Sequence, residues 1–320
     1  MRLAWSLLSC CAAVTLSAQT TYSPPALPAP TGFRVFIVPD MEGMGSAVDI
    51  REVIAGTEGE AYKNLTSDDY WHTFRGLLTR EVNSVIAGAR LAGARSFVVN
   101  EGHGGNLFAN VLPWDLDTAA ILIRGFPKPL IMITGIDSSV GTLIFTGAHA
   151  NAGSPGVLAH NFAFDQFTVN GKTLNEVGIN ALIAGELGIA VSMVSGDDAE
   201  IAETRDMLGN GFVAVVTKYA VGRMAAITFS PTRVRRMLHD SAVVAVRRAM
   251  RHEFKPLVLE RPYQVEFALR RSYPARVVAG VDSLAWPGLA KTGERSYKLT
   301  TDSARQMGLL LDAIERVVLH

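Results

Sequence analysis

Six residues in this 320-residue chain have the types and settings to hold cations and move protons: Asp40, Glu42, His103, His149, His160 and Glu176. Carboxylates and imidazoles are the ligand types that a two-ion site needs. One carboxylate can bridge two ions about 3.5–4 Å apart, the separation typical of dinuclear hydrolytic sites. Asp40-Met41-Glu42-Gly43 follows an apolar run, and His103 lies within Asn100-Glu101-Gly102-His103-Gly104-Gly105. His149 lies within Thr146-Gly147-Ala148-His149-Ala150, His160 follows eleven residues later, and Glu176 opens a helical pattern. Each residue also has an ordinary reading. Asp40 and Glu42 could be polar residues leaving a strand, His103 a turn residue, and His149 and His160 core histidines satisfied by backbone. Glu176 could be an acidic residue favoured in a helix's first turn. Their joint setting beside glycines, which let backbone approach an ion or substrate closely, supports the chemical reading. The residues alone leave three functions open: a metal-dependent peptide hydrolase, another metal-dependent amidase or phosphoesterase, and an α/β peptide-binding protein without turnover.

The elements that must position these residues can be read from apolar periodicity. Phe33 to Val38 predicts a buried first strand closed by Pro39, and Ser96–Val99 a second. Between them the spacing of Leu77, Leu78, Val82, Val85, Ile86 and Ala89 predicts a helix over 69–92. Apolar runs recur at 119–123, 130–134 and 143–146. Residues 162–169 alternate with a phase slip at Gln166-Phe167 and meet the turn signal Asn170-Gly171, which predicts a hairpin. A helix over 175–187, a strand over 189–195, a polar helix over 199–208 and a strand over 213–217 follow. Strands that alternate with helices and are nearly continuously apolar predict an α/β fold, with a mostly parallel sheet covered on both faces. Beyond residue 230 a basic helix (231–254), an alternating strand (263–269) and a last helix (303–319) predict a smaller α+β C-terminal region. The expected organisation is a leader (1–18), a Pro-rich linker (19–31), an α/β core (32–230) and the C-terminal region (231–320).

Composition excludes other classes. Thirty Lys and Arg balance 30 Asp and Glu, so there is no global field to gather nucleic acid or an anionic membrane. Hydrophobic residues make up 48% and charged residues 19%, which excludes a disordered chain. Met1-Arg2, the apolar run Leu3–Leu16 and the small pair Ser17-Ala18 predict a secretory signal, hence a periplasmic or secreted protein. That run is too short to span a bilayer, which needs about 20 apolar residues. A lipoprotein box at Leu7–Cys10 is the alternative reading. The only two cysteines, Cys10 and Cys11, lie in this leader, so no thiol nucleophile or disulfide remains after cleavage. No G-x-S-x-G elbow occurs either. Gly43-Met44-Gly45-Ser46-Ala47-Val48 imitates a dinucleotide fingerprint but lacks its last glycine.

Six blocks in order resemble the D-aminopeptidase family of dinuclear zinc peptidases over residues 33–231. They are Asp40-Met41-Glu42-Gly43; Asn100-x-x-His103-Gly104; Gly147-x-His149; Gly153-x-x-Gly156-Val157-Leu158-x-His160; Asn175-Glu176-x-Gly178-Ile179-Asn180-Ala181; and Gly196-Asp197-Asp198. The resemblance implies two zinc ions per chain bridged by Asp40. Glu42 and His149 would complete the shell of one ion, and His103 and Glu176 that of the other. It implies His160 as the catalytic residue and a homo-oligomer that encloses its active sites. The implied reaction is hydrolysis of short peptides, including those with D-residues; the resemblance offers His160 as the direct nucleophile, and a metal-activated water, which already supplies a nucleophile, favours the other reading, His160 as acid and base. Val38 stands where the family usually has Ser, and Glu101-Gly102 where it commonly has Asp-Ser; no proposed ligand is lost. An aminopeptidase must also hold a free α-ammonium, for which Glu101, Asp197 and Asp198 are the candidates. Lys218 and Arg223 follow a strand near the expected site and could hold a carboxylate.

Overall fold

The computed structural model describes residues 26–54 and 67–319. The expected leader and the linker before residue 26 lie outside the described residues. β1 (Arg34–Pro39) is buried along its whole length. Alternate side chains of a strand point to opposite faces, so Val35 and Ile37 enter one core while Phe36 and Val38 enter another. That division organises the molecule. On the first face, α1 (Ile50–Val53) and α2 (Ser67–Ala92) follow, and α2 packs Leu78, Val82, Val85, Ile86 and Ala89 onto the strand. β2 (Ser96–Asn100), β3 (Ala120–Ile123) and β4 (Val140–Ala148) then extend the sheet. The apolar run at 130–134 is no strand; it is a buried 3-10 turn at Ile131–Ile133.

β5 (Phe164–Val169) and β6 (Lys172–Thr173) form the expected hairpin, with Asn170 and Gly171 both at positive φ. The phase slip at Gln166-Phe167 corresponds to a register shift opposite Ala268/Leu269, so Phe164 and Phe167 are both buried. After α3 (Glu176–Gly185) come β7 (Val191–Asp197), α4 (Asp198–Leu208), β8 (Val213–Gly222) and β9 (Ala225–Thr228). The chain continues with α5 (Pro231–Met250), β10 (Tyr263–Leu269), α6 (Ala275–Asp282), β11 (Leu289–Lys291), β12 (Ser296–Thr301) and α7 (Ala304–Leu319).

These elements form a seven-stranded sheet in the order β3-β2-β1-β4-β7-β8-β9. All its ladders are parallel except β8 with β9. A five-stranded antiparallel sheet has the order β11-β12-β10-β5-β6. The expected class, α/β with a mostly parallel sheet, is therefore the observed one. The expected boundary near residue 230 falls between β9 and α5; every strand of the first sheet precedes it, while the second sheet takes β5 and β6 from before it and β10, β11 and β12 from after it. α5 packs Val234, Leu238, Ala242, Ala245 and Val246 into the core that α2 shares with the first sheet. β5 and β6, from well before residue 230, pair with β10 in the second sheet. The physical reason is apolar area: the basic helix is amphipathic, and its buried stripe needs the exposed face of the large sheet. Each fully buried Leu or Val contributes about 1.5–3 kcal/mol, which outweighs any preference for sequence neighbours.

Strand order reverses between β1 and β4, whose successors run outward in opposite directions. In open α/β sheets, ligands bind in the crevice outside the carboxyl ends of strands at such a switch point. Asp40 and Glu42 leave β1, His103 lies just beyond β2, and His149 follows β4.

Candidate metal centre at the strand ends

The backbone at this switch point is drawn unusually close. Asp40 N–H donates to the Thr146 carbonyl at 2.8 Å, and Gly43 N–H to the Gly147 carbonyl at 2.8 Å. A Cβ at Gly147, where φ is +79°, would meet the Asp40 carbonyl at 2.1 Å, and one at Gly43 would meet the Ala148 carbonyl at 1.8 Å. Only glycine permits this approach. The loop after β1 is held from below by Lys218 on β8, whose buried Nζ donates to the carbonyls of Glu42, Met44 (3.0 Å) and Ala47. Lys218 thus anchors main chain rather than a substrate carboxylate. Arg223 likewise donates to the Ala159 carbonyl at 2.6 Å and steadies the His160 loop.

Asp40, Glu42, His103, His149 and Glu176 are all buried, with 3–6% of each exposed. His103 Nδ1 lies 3.2 Å from Asp40 Oδ1 and 2.8 Å from Glu42 Oε2. His149 Nε2 lies 3.6 Å from Asp40 Oδ2 and 3.6 Å from Glu176 Oε1. The two oxygens of Asp40 therefore face two clusters, one of Glu42 with His103 and one of His149 with Glu176. The resemblance implies Glu42 with His149 and His103 with Glu176; Glu42 also groups with His149 and His160, and among the described residues no such group joins His103 with Glu176. Side-chain direction sets these groups: Glu42 turns Oε2 toward His103 and Oε1 toward His160, and Glu176 turns Oε1 toward His149.

Outer hydrogen bonds fix each imidazole. His103 Nε2 donates to the Val53 carbonyl at 2.7 Å, and His149 Nδ1 to the Ala150 carbonyl at 3.1 Å. A proton at each outer nitrogen leaves the inner nitrogen with a lone pair directed at the carboxylates, the arrangement common to metal-ligating histidines. Glu176 is held at the start of α3 by its Asn175 N-cap, and its Oε1 accepts from Phe162 N–H at 2.7 Å. Among the described residues, Asp40, Glu42 and Glu176 have ion pairs only to histidine.

The electrostatics follow from crowding three carboxylates in a dry site. Burial, reinforced by the charge of Glu42, raises the Asp40 carboxyl above its ordinary range. Burial lifts Glu176 to about 7. Burial also opposes ionisation of Glu42, but the His103 charge and hydrogen bond bring it below the usual value. Burial works against the His149 cation, yet the Glu176 and Asp40 charges raise it to about 9; Glu42 and Asp40 likewise raise His103. Imidazoles in this cluster are thus drawn toward a positive form. Dications fit the same donors: three carboxylates and two imidazole lone pairs, desolvated together, with no Lys or Arg among their ion partners.

His160 stands beside this centre. Its Nδ1 donates to the Leu158 carbonyl at 2.9 Å, and its Nε2 lies 3.9 Å from Glu42 Oε1. Its ring stacks on that of His149 with centroids 3.9 Å apart and 13° between planes. Burial and the neighbouring His149 charge hold it well below the ordinary histidine value. Leu158 and Phe162 flank it at φ of +53° and +33°, backbone that non-glycine residues adopt at a cost.

A cavity of about 410 Å³ opens over these groups. Apolar Ile54, Leu107, Phe108 and Phe162 line it, as do Arg270, Tyr273 and Glu315 from the C-terminal quarter of the chain. The three expected ammonium acceptors are absent from that lining and are engaged elsewhere. Glu101 accepts from the N–H groups of Asn110 (2.7 Å) and Val111 (3.0 Å). Asp197 caps α4 and accepts from Val157 N–H at 2.6 Å, and exposed Asp198 accepts from Ala220 N–H at 2.8 Å. Carboxylates already claimed by backbone donors keep loops in place. Arg270, Tyr273 and Glu315 went unnoticed in the sequence because they sit in no motif; Glu315 is one polar residue on an amphipathic helix.

Known proteins are similar to this chain over most of its length. The D-aminopeptidase family matches residues 33–312. The chain belongs to that family. It is accordingly a peptide hydrolase of the aminopeptidase class. A D-aminopeptidase of Bacillus subtilis (strain 168) is 30% identical over 239 residues, which cover 73% of this chain and 81% of that protein. A solved structure of the Zn-dependent D-aminopeptidase DppA from Bacillus subtilis, a self-compartmentalizing protease, superposes with a TM-score of 0.78 at 25% identity. That superposition covers 90% of this chain and 98% of the other.

Proposed function

We propose that this protein is an exported, dinuclear zinc D-aminopeptidase that removes the N-terminal residue from short peptides. The observation that carries the reading is Asp40, buried at the switch point with one carboxylate oxygen toward Glu42–His103 and the other toward His149–Glu176. Asp40, Glu42 and His103 would hold one zinc, and Asp40, His149 and Glu176 the other. Zinc supplies Lewis acidity there, which polarises the scissile carbonyl and activates a water near neutral pH.

The chain's own groups do the rest. His160 keeps its outer proton on the Leu158 carbonyl and presents Nε2 to the reacting centre. It takes a proton as the water attacks and gives one to the leaving amine, the general acid–base role. Stacking on His149 holds the ring in the plane that this transfer needs. Ile54, Leu107, Phe108 and Phe162 exclude water and offer apolar surface to a small peptide side chain. The basic start and apolar run of residues 1–16 support export to the periplasm or outside the cell. Among the described residues no helix is long and apolar enough to cross a membrane. The self-compartmentalizing relative supports a homo-oligomer with enclosed sites.

The test is a panel of dipeptides, D,D against L,L, with and without chelator. D,D-peptide hydrolysis that chelator stops and zinc restores is the expected result. Turnover indifferent to chelator, or confined to L,L-peptides, overturns the reading.

A further inference from the structure

Lys218, which anchors the loop after β1, has a counterpart under the turn after β2. Lys128 stands between Pro127 and Pro129, whose rings fix their own φ, and its carbonyl accepts from Ile131 N–H at 2.9 Å. Its side chain is buried, and among the described residues no carboxylate forms an ion pair with it. Burial pushes the ammonium down to about 7, even though the Glu101 charge favours it. A buried cation of this kind costs free energy, and a methionine would fill the same length without that cost. What the position requires is therefore the set of groups to which the ammonium donates.

Those groups lie on both limbs of the turn that carries His103. Lys128 Nζ donates to the Asn100 side-chain oxygen and to the Glu101 carbonyl, and it faces the Phe108 ring at 4.7 Å from the centroid. Asn100 opens the motif that contains His103, yet it is no ligand. Its Nδ2 donates to the carbonyls of Ile131 and Thr134, 3.2 Å each, so its amide is held at both ends. Glu101 carries the hold onward, since its carboxylate accepts from the N–H groups of Asn110 and Val111. Asn110 Nδ2 in turn donates to the carbonyls of His103 and Gly105, 2.9 Å each. At the far limb the Phe108 carbonyl accepts from Gly125 N–H at 2.8 Å, and its ring stacks on Phe126 with centroids 5.9 Å apart. His149 and Glu176, in the other half of the centre, are fixed by different groups, the Ala150 carbonyl and Phe162 N–H.

We propose that Lys128 is a positioning residue for one half of the centre: it closes the turn from Asn100 to Phe108 so that His103 meets its cation, and it leaves the His149–Glu176 half alone. This rests on the dinuclear reading above and adds that the two ions are supported separately. Outer partners that orient a ligand set metal affinity although they never touch the metal.

The test reads zinc binding directly, by competition of the full-length protein with a chelating dye and without peptide. Wild type should take up two ions. Lys128→Met should weaken one of them by about 10–100-fold, the range for a lost outer partner of a ligand, and leave the other as in wild type. The retained ion shows that the fold is intact. In a His103→Ala background, which already lacks that ligand, Lys128→Met should change the remaining affinity by less than about twofold, because two changes that act on one ion do not add. Peptide turnover by Lys128→Met, low at limiting zinc, should recover in excess zinc. Wild-type affinity for both ions in Lys128→Met overturns the assignment and leaves the dinuclear centre standing. Equal weakening of both ions, in Lys128→Met and again in the milder Lys128→Gln, also overturns it, since that marks a general loosening of the fold. A wild type that binds fewer than two ions overturns the dinuclear reading as well.

Discussion

On the floor of the cavity, the three histidines and Glu176 are each held by a second atom: His103 by the Val53 carbonyl, His149 by Ala150, His160 by Leu158, and Glu176 by Phe162 N–H. On the wall, the Oε1 of Glu315 has no hydrogen-bond partner, although the Arg270 charge and an Ala163 backbone hydrogen bond both act on that carboxyl. The floor grows from the carboxyl ends of parallel strands at a reversal of strand order, and the wall from the second sheet and α7. The difference separates two tasks. Groups that must hold a cation in fixed geometry are anchored before it arrives. Groups on the wall close the cavity over that centre.

This contrast can be broken experimentally, beginning with the floor. Asp40→Asn removes one charge from the residue that both clusters share, and peptide turnover should fall below detection while the circular dichroism spectrum is unchanged. His160→Ala should cost about 10²–10⁴-fold in kcat, the usual range for a lost general acid–base, with zinc content retained. A near-normal kcat would remove His160 from the reaction. Lys218→Met tests the support under the floor. It leaves the carbonyls of Glu42, Met44 and Ala47 without their donor, and zinc affinity should fall about 10–100-fold by competition with a chelating dye. Asp198→Ala should change kcat/KM by less than about twofold, because an exposed side chain that accepts one backbone N–H touches neither floor nor wall.

The same contrast explains what could be read from the sequence. Floor residues were legible because metal chemistry restricts residue type, and because strand ends rich in glycine mark where backbone must come close. Asp40, Glu42, His103, His149, His160 and Glu176 do meet at one place. How they divide into two clusters was not legible, since it depends on rotamers chosen by the hydrogen bonds of Val53 and Phe162, far away in sequence. Glu101, Asp197 and Asp198 show the converse problem. A carboxylate's type says nothing about whether a neighbouring N–H has already claimed it, and here the N–H groups of Asn110, Val157 and Ala220 have.

The first sheet was largely legible because its strands are buried on both faces and read as apolar runs. The second was not. β10 pairs with β5 across about a hundred residues, a partnership that local pattern cannot reveal. β11 and β12 are short and polar on one face, and α6 spans only Ala275–Asp282. The wall residues therefore had no recognisable setting, although Tyr263–Leu269 alternates cleanly and was read as a strand.

The proposed centre holds two cations that share Asp40. Its most direct test is the zinc content per chain of purified wild type beside Asp40→Asn, both measured by plasma mass spectrometry after identical zinc loading and desalting. About two ions in the wild type and fewer than one in the variant is the predicted result. Equal zinc content in the two proteins would contradict it.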